Sequence, residues 1–99
     1  MNELEKKLAE LNERYAADLG DRVMKIEGFL SEYASSGSED ALENLYKGAH
    51  ALAGSARTFG LPDVSVAAKE LELSARDSND VKFLQTKLSK LKKSFLPDC

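Results

Sequence analysis

Residues 38–62 read SEDALENLYKGAHALAGSARTFGLP. Ser38 offers a hydroxyl that caps the first free amides of a helix, and Glu39 and Asp40 follow where the helix dipole favours negative charge. From there Leu42, Leu45, Tyr46, Ala49, Leu52, Ala53, Ala56 and Phe59 recur mostly at intervals of three and four. They draw one apolar stripe along a helix from about Glu39 to Phe59. Gly60 suits the left-handed backbone that closes a helix, and Pro62 suits the first turn of the next one. A helix of this length, about 31 Å at a rise of roughly 1.5 Å per residue, is marginal alone in water. Other segments of the chain have to cover its stripe.

The flanking segments supply that cover. Upstream, Leu4, Leu8, Leu11, Tyr15, Leu19, Val23, Ile26, Leu30 and Tyr33 predict a helix from about Glu3 to Ala34, and Ser35-Ser36-Gly37-Ser38 has the composition of a turn. Gly20 costs about 1 kcal/mol of helix propensity relative to Ala. A bend near Gly20, or a short N-terminal helix followed by a longer one, is therefore expected between Leu19 and Asp21. Downstream, Val64, Ala67, Ala68, Leu71 and Ala75 line a third segment that opens at Pro62 and ends near Arg76 or Asp77. Ser78 or Asn79 is the expected cap of a fourth, with Val81, Leu84, Leu88, Leu91 and Phe95 in register until Pro97 stops it. Short connections make neighbouring helices antiparallel, so the pattern predicts an all-α, antiparallel four-helix bundle in a single domain over residues 1–99. Coiled-coil association of separate chains is the competing architecture, and the three breaks count against it.

Composition narrows the function classes. Leu, Ala, Glu, Lys and Arg fill 51 of the 99 positions against four Val and one Ile, which excludes a β-rich fold. One Cys, at position 99, excludes an internal disulfide, and with one His it excludes a zinc site of nitrogen and sulfur ligands within the chain. A reducing, cytoplasmic setting fits this usage. No apolar run approaches the roughly 20 residues that span a bilayer, and residues 2–7 lack the apolar core of a secretion signal, so no membrane role is expected. The net charge of -3 conceals a gradient, from -5 over residues 1–40 through -2 over 41–80 to +4 over 81–99. Lys82, Lys87, Lys90, Lys92 and Lys93 read as a solvated helix face, not a nucleic-acid contact.

Candidate chemistry reduces to one residue. The chain has no phosphate-cradling glycine loop and no His/Glu pair at metal-binding helical spacing, and its lone thiol lies at the terminus. It has little with which to act as an autonomous hydrolase or nucleotide enzyme. His50 remains. With Ala49 at zero and about 100° per residue, the stripe of helix 39–59 centres near -10° and His50 falls at about +100°. The imidazole points out along one flank, where Arg57, Glu43, Gly54 and Lys47 follow at about 80°, 120°, 140° and 160°. Gly54, one turn above the ring, removes a side chain that would fence it and so admits another protein's surface. A neutral imidazole nitrogen is a nucleophile at physiological pH, and the cations Lys47 and Arg57 favour an incoming phosphoryl group. No nucleotide pocket or Mg²⁺ carboxylate cluster accompanies it, so a partner has to bring the metal and the catalytic machinery.

The run Ala49-His50-Ala51-Leu52-Ala53-Gly54-Ser55-Ala56-Arg57-Thr58-Phe59-Gly60-Leu61, followed by Ala68 and Leu71-Glu72, resembles the histidine phosphotransfer (HPt) domain. The resemblance covers about 25 contiguous residues by motif and the whole chain by helix number. It implies that His50 accepts a phosphoryl group from an aspartyl phosphate on a response-regulator receiver domain and passes it to another receiver's aspartate. It implies a carrier and not an enzyme, with no cofactor of its own, Mg²⁺ residing on the partner receiver. Receivers and a hybrid sensor histidine kinase are the implied partners of a monomer. Many members carry Lys three residues after the histidine, where this chain has Ala53, so Arg57, Lys47 or a partner's lysine is expected to substitute. The alternative from a different class is a helical interaction module that binds and regulates a receiver or kinase without being phosphorylated.

Overall fold

The computed structural model describes residues 2–95, the side chains of residues 8–17 and of Phe95 excepted. Within them the chain forms four helices: α1 (Glu3–Ser36), α2 (Glu39–Thr58), α3 (Pro62–Asp77) and α4 (Val81–Phe95). The connections are two or three residues long, which leaves each helix room only to fold back on its predecessor. Around the bundle α2 packs on α1 and α3, and α4 closes the ring against α3 and α1. Every helix contributes to the dry centre, where Ile26, Leu45, Leu52, Leu71, Leu84 and Leu91 are fully buried. The predicted all-α four-helix bundle is the fold observed.

The ends of α2, which carries the candidate site, follow from its sequence. The Ser38 hydroxyl accepts from the Ala41 amide at 3.3 Å, satisfying one of the free donors of the first turn. At the other end Gly60 adopts φ 74°, and the chain closes with Leu61 N–H donating to the Ala56 carbonyl at 2.9 Å and Gly60 N–H to that of Arg57 at 3.2 Å. This pair of bonds is the Schellman closure that a left-handed glycine permits. Pro62 then opens α3, and the Ser65 hydroxyl donates to the Ala53 carbonyl at 2.9 Å. The first turn of α3 is thereby pinned to the flank of α2.

Three expectations need correction. The first helix runs unbroken through Gly20, so a short helix followed by a longer one is not what forms; a helix tolerates one glycine where flanking turns are held by packing, here Leu19 and Val23. The cap of α4 is neither Ser78 nor Asn79. Asp80 accepts from the amides of Lys82 at 3.0 Å and Phe83 at 3.3 Å, while Ser78 accepts from the Asp80 amide at 3.1 Å. Phe59, counted into the stripe of α2, lies beyond the last turn and is exposed.

The stripe of α1 is buried at Leu19, Val23, Ile26 and Leu30 and half-buried at Tyr33, whereas Leu4 is exposed. Leu8, Leu11 and Tyr15 lie outside the described side chains, as does Phe95, and Pro97 and Cys99 lie outside the described residues. With 34 residues α1 is about 51 Å long by its rise, and it sets the long dimension of a molecule measuring 51 × 21 × 20 Å.

Candidate functional site

His50 sits in the middle of α2 with its neighbours Ala49 and Ala53 turned into the core. The packing of those alanines fixes the rotation of the helix, and that rotation sends the imidazole outward. Its side chain is 66% exposed, although one ring nitrogen is not free: Nδ1 stands 3.1 Å from Oε2 of Glu72 on α3. On its own helix the ring lies against Tyr46, with centroids 6.4 Å apart and planes 18° from parallel. Tyr46, expected in the core, is half-buried and forms one wall beside the imidazole. The ring is thus held on two sides and open on the rest.

Glu72 is the unusual member of the group. Its side chain is only 4% exposed, and a carboxylate removed from water is costly unless its charge and lone pairs are met. Lys69, one turn earlier on α3, meets them: its Nζ lies 3.3 Å from both Oε1 and Oε2. One carboxylate therefore joins an ammonium and an imidazole. A carboxylate oxygen beside Nδ1 is placed to accept a proton held on that nitrogen, the tautomer in which Nε2 keeps its lone pair.

An open cleft of about 710 Å³ runs between α2 and α3, with His50, Gly54 and Arg57 on one wall and Ser65, Lys69 and Glu72 on the other. A Cβ placed on Gly54 would meet nothing within 4 Å, so the glycine is not demanded by packing inside this molecule. Arg57 is exposed and makes no ion pair among the described residues. Lys47 is placed differently. It pairs with Glu43 at 3.3 Å and does not line the cleft. The structure therefore brings together His50, Gly54 and Arg57 and leaves Lys47 outside the group.

Two members of the cluster escape a reading of the sequence for candidate residues. Glu72 is visible there only as half of the Leu-Glu pair that carries the resemblance, and Lys69 not at all. The signal for them is an i, i+3 Lys/Glu pair in which the Glu follows a core leucine, Leu71, and so starts at the edge of the buried stripe. Sequence spacing places that pair on one face of α3 but does not give the rotation of α3 toward α2.

Other charges on this side are engaged elsewhere. Glu70 holds Lys90 at 3.5 Å and Lys87 at 3.7 Å from α4. Arg76 pairs with Asp77 at 3.2 Å, and the hydrogen bond to that carboxylate, followed by its charge, holds the guanidinium further into its protonated form. Among the described residues no three His, Cys, Asp or Glu side chains converge as a metal site, and no helix is long and apolar enough to cross a membrane.

Comparison with known proteins adds one finding. The family model described as Hpt domain matches residues 2–94, nearly the whole chain and all of the cluster above. No curated protein and no solved structure is matched.

Proposed function

Since the chain belongs to the Hpt domain family, whose members carry phosphoryl groups on histidine in phosphorelays and interact with receiver domains, we propose that His50 is the phosphoryl acceptor of this one. The observation that carries the reading is an imidazole in the open whose Nδ1 is already engaged by a buried carboxylate. Nε2 attacks the phosphorus of a receiver's aspartyl phosphate. The N–P bond forms as the P–O bond to the aspartyl carboxyl breaks, and the aspartate leaves with the electron pair. The proton stays on Nδ1, so the phosphorylated ring is cationic and Glu72 stabilises it. Passage to a second receiver is the same displacement in reverse, with an aspartate as nucleophile.

Two further residues of the cleft, Gly54 and Arg57, have parts in this scheme. Gly54 lets the receiver's active-site edge approach the helix backbone beside the ring. Arg57 supplies the uncommitted positive charge for the phosphoryl oxygens, while Lys47, committed to Glu43, contributes less. Mg²⁺ and the acid residues that bind it come with the receiver, and the carrier works as a cytoplasmic monomer that holds each partner briefly.

The test uses a phosphorylated receiver as donor. Wild-type protein is expected to gain label that is acid-labile and alkali-stable, and His50→Gln to gain none. Binding without label in the wild type would select the regulatory interaction module instead, and neither binding nor label would remove the protein from phosphorelay altogether.

A further inference from the structure

The cation paired with the carboxylate beside His50 is not on α2. Lys69 lies across the cleft, 53% exposed at its side chain, with Nζ equidistant at 3.3 Å from the two oxygens of a carboxylate that is itself 3.1 Å from the imidazole. Most other charged groups around His50 already have partners. On α2, Lys47 answers Glu43 and Arg57 is uncommitted; on α3, Arg76 answers Asp77 and Glu70 answers Lys87 and Lys90 of α4. Among the described residues Lys69 is the one lysine or arginine in direct ion-pair contact with Glu72, Arg76 sensing its charge from further off. Without it, the carboxylate beside His50 would be a buried negative charge with an exposed imidazole as its only direct contact and the more distant Arg76 as its remaining cation. Such a group escapes its cost by taking up a proton or by swinging out to water. Either escape releases Nδ1, and an uncompensated anion would also repel an incoming phosphoryl group.

We propose that Lys69 is a positioning residue for His50: by neutralising Glu72 and holding it in place, it keeps the ring in the tautomer that presents Nε2 and lets a dianionic phosphoryl group approach a site that contains a carboxylate. The proposal rests on the reading of His50 as the phosphoryl acceptor, and it accounts for the absence of a lysine at Ala53, whose side chain is buried beneath the cleft. The compensating charge comes from α3, not from the helix that bears the histidine.

Two independent readouts test it on the intact protein. The first is the tautomer of His50, read from ring ¹⁵N shifts at a pH where the ring is neutral. Wild type and Lys69→Arg are expected to show Nδ1–H with an unprotonated Nε2, and Lys69→Ala a mixture of the two tautomers. The second is the initial rate of His50 phosphorylation by phosphoramidate, a small donor that needs no partner. Lys69→Ala is expected to lose about tenfold, the usual order for an outer partner that orients a reacting imidazole, and Lys69→Arg to recover most of it. Because Lys69 acts through Glu72, Lys69→Ala combined with Glu72→Gln should be no slower than Glu72→Gln alone. A wild-type tautomer and rate in Lys69→Ala would overturn the proposal, as would additive losses in the double variant. The two readings part cleanly: a tautomer shift in a protein that accepts no phosphoryl group would leave the positioning role standing and remove the carrier role.

Discussion

At the scale of the residue, the site depends on what is missing at Gly54 as much as on what is present at His50. The position is helical and exposed, and an added side chain would meet open space. Packing therefore gives no reason for a glycine, and helix propensity argues against one by about 1 kcal/mol. A visiting surface does give a reason. Gly54→Glu is expected to leave the circular dichroism of the bundle nearly unchanged while cutting transfer from a phosphorylated receiver at least tenfold, since it puts bulk and a negative charge one turn from the ring. Transfer at the wild-type rate would show that receivers do not approach over this face. The two cations of α2 give a paired prediction. Arg57→Ala should slow transfer severalfold and Lys47→Ala by less than twofold, because the first charge lines the cleft unpaired and the second is exposed and bound to Glu43. Equal losses would mean that the Lys47–Glu43 pair opens when a partner arrives.

At the scale of the element, glycines that look alike in the sequence have opposite consequences. Gly20 lies inside α1, where an added Cβ would meet no atom within 4 Å, whereas a Cβ on Gly48 would come within 3.1 Å of Ile26 Cγ1 at the contact between α2 and α1. Gly20→Ala should therefore stabilise the protein by about 0.5–1 kcal/mol through helix propensity. Gly48→Val should destabilise it by about 2 kcal/mol, because overpacking and a β-branched side chain act together. Urea unfolding of the two variants decides both.

The same contrast shows what periodicity makes legible. The direction of His50 could be read from α2 alone, because its buried neighbours Ala49 and Ala53 fix the rotation of their own helix. The ends of α2 were equally legible, since Ser38 and Gly60 each have one physical use at a helix end. The partnership of His50 with Glu72 and Lys69 was not. It depends on the rotation of α3 about its axis and on its height against α2, which the Ser65 bond to Ala53 and the core contacts of Val64, Ala68 and Leu71 set together. The cap of α4 was misplaced for a local reason: Ser78, Asn79 and Asp80 are consecutive and all able to cap, and only the backbone path selects Asp80.

At the scale of the whole molecule, the charge gradient from an acidic beginning to a basic end invites the idea that electrostatic attraction closes the bundle. Lys92 of α4 does reach Glu27 of α1 at 2.9 Å, across the seam where the last helix meets the first. Both side chains are about half exposed, however, and ion pairs in that setting contribute only some 0–1 kcal/mol. Leu91, the preceding residue, is fully buried, and truncating such a side chain to Ala costs about 2–5 kcal/mol. The apolar term wins by a wide margin. Lys92→Ala is accordingly expected to shift the free energy of unfolding by less than about 1 kcal/mol, and Leu91→Ala by about 3 kcal/mol, with the wild-type midpoint in urea moving little between low and moderate salt. A rigid apolar scaffold of this kind leaves the surface charges free to serve encounter. If Lys92→Ala proved as damaging as Leu91→Ala, the seam would be held by charge, and the stability of the platform under His50 would then change with the ionic conditions in which partners meet it.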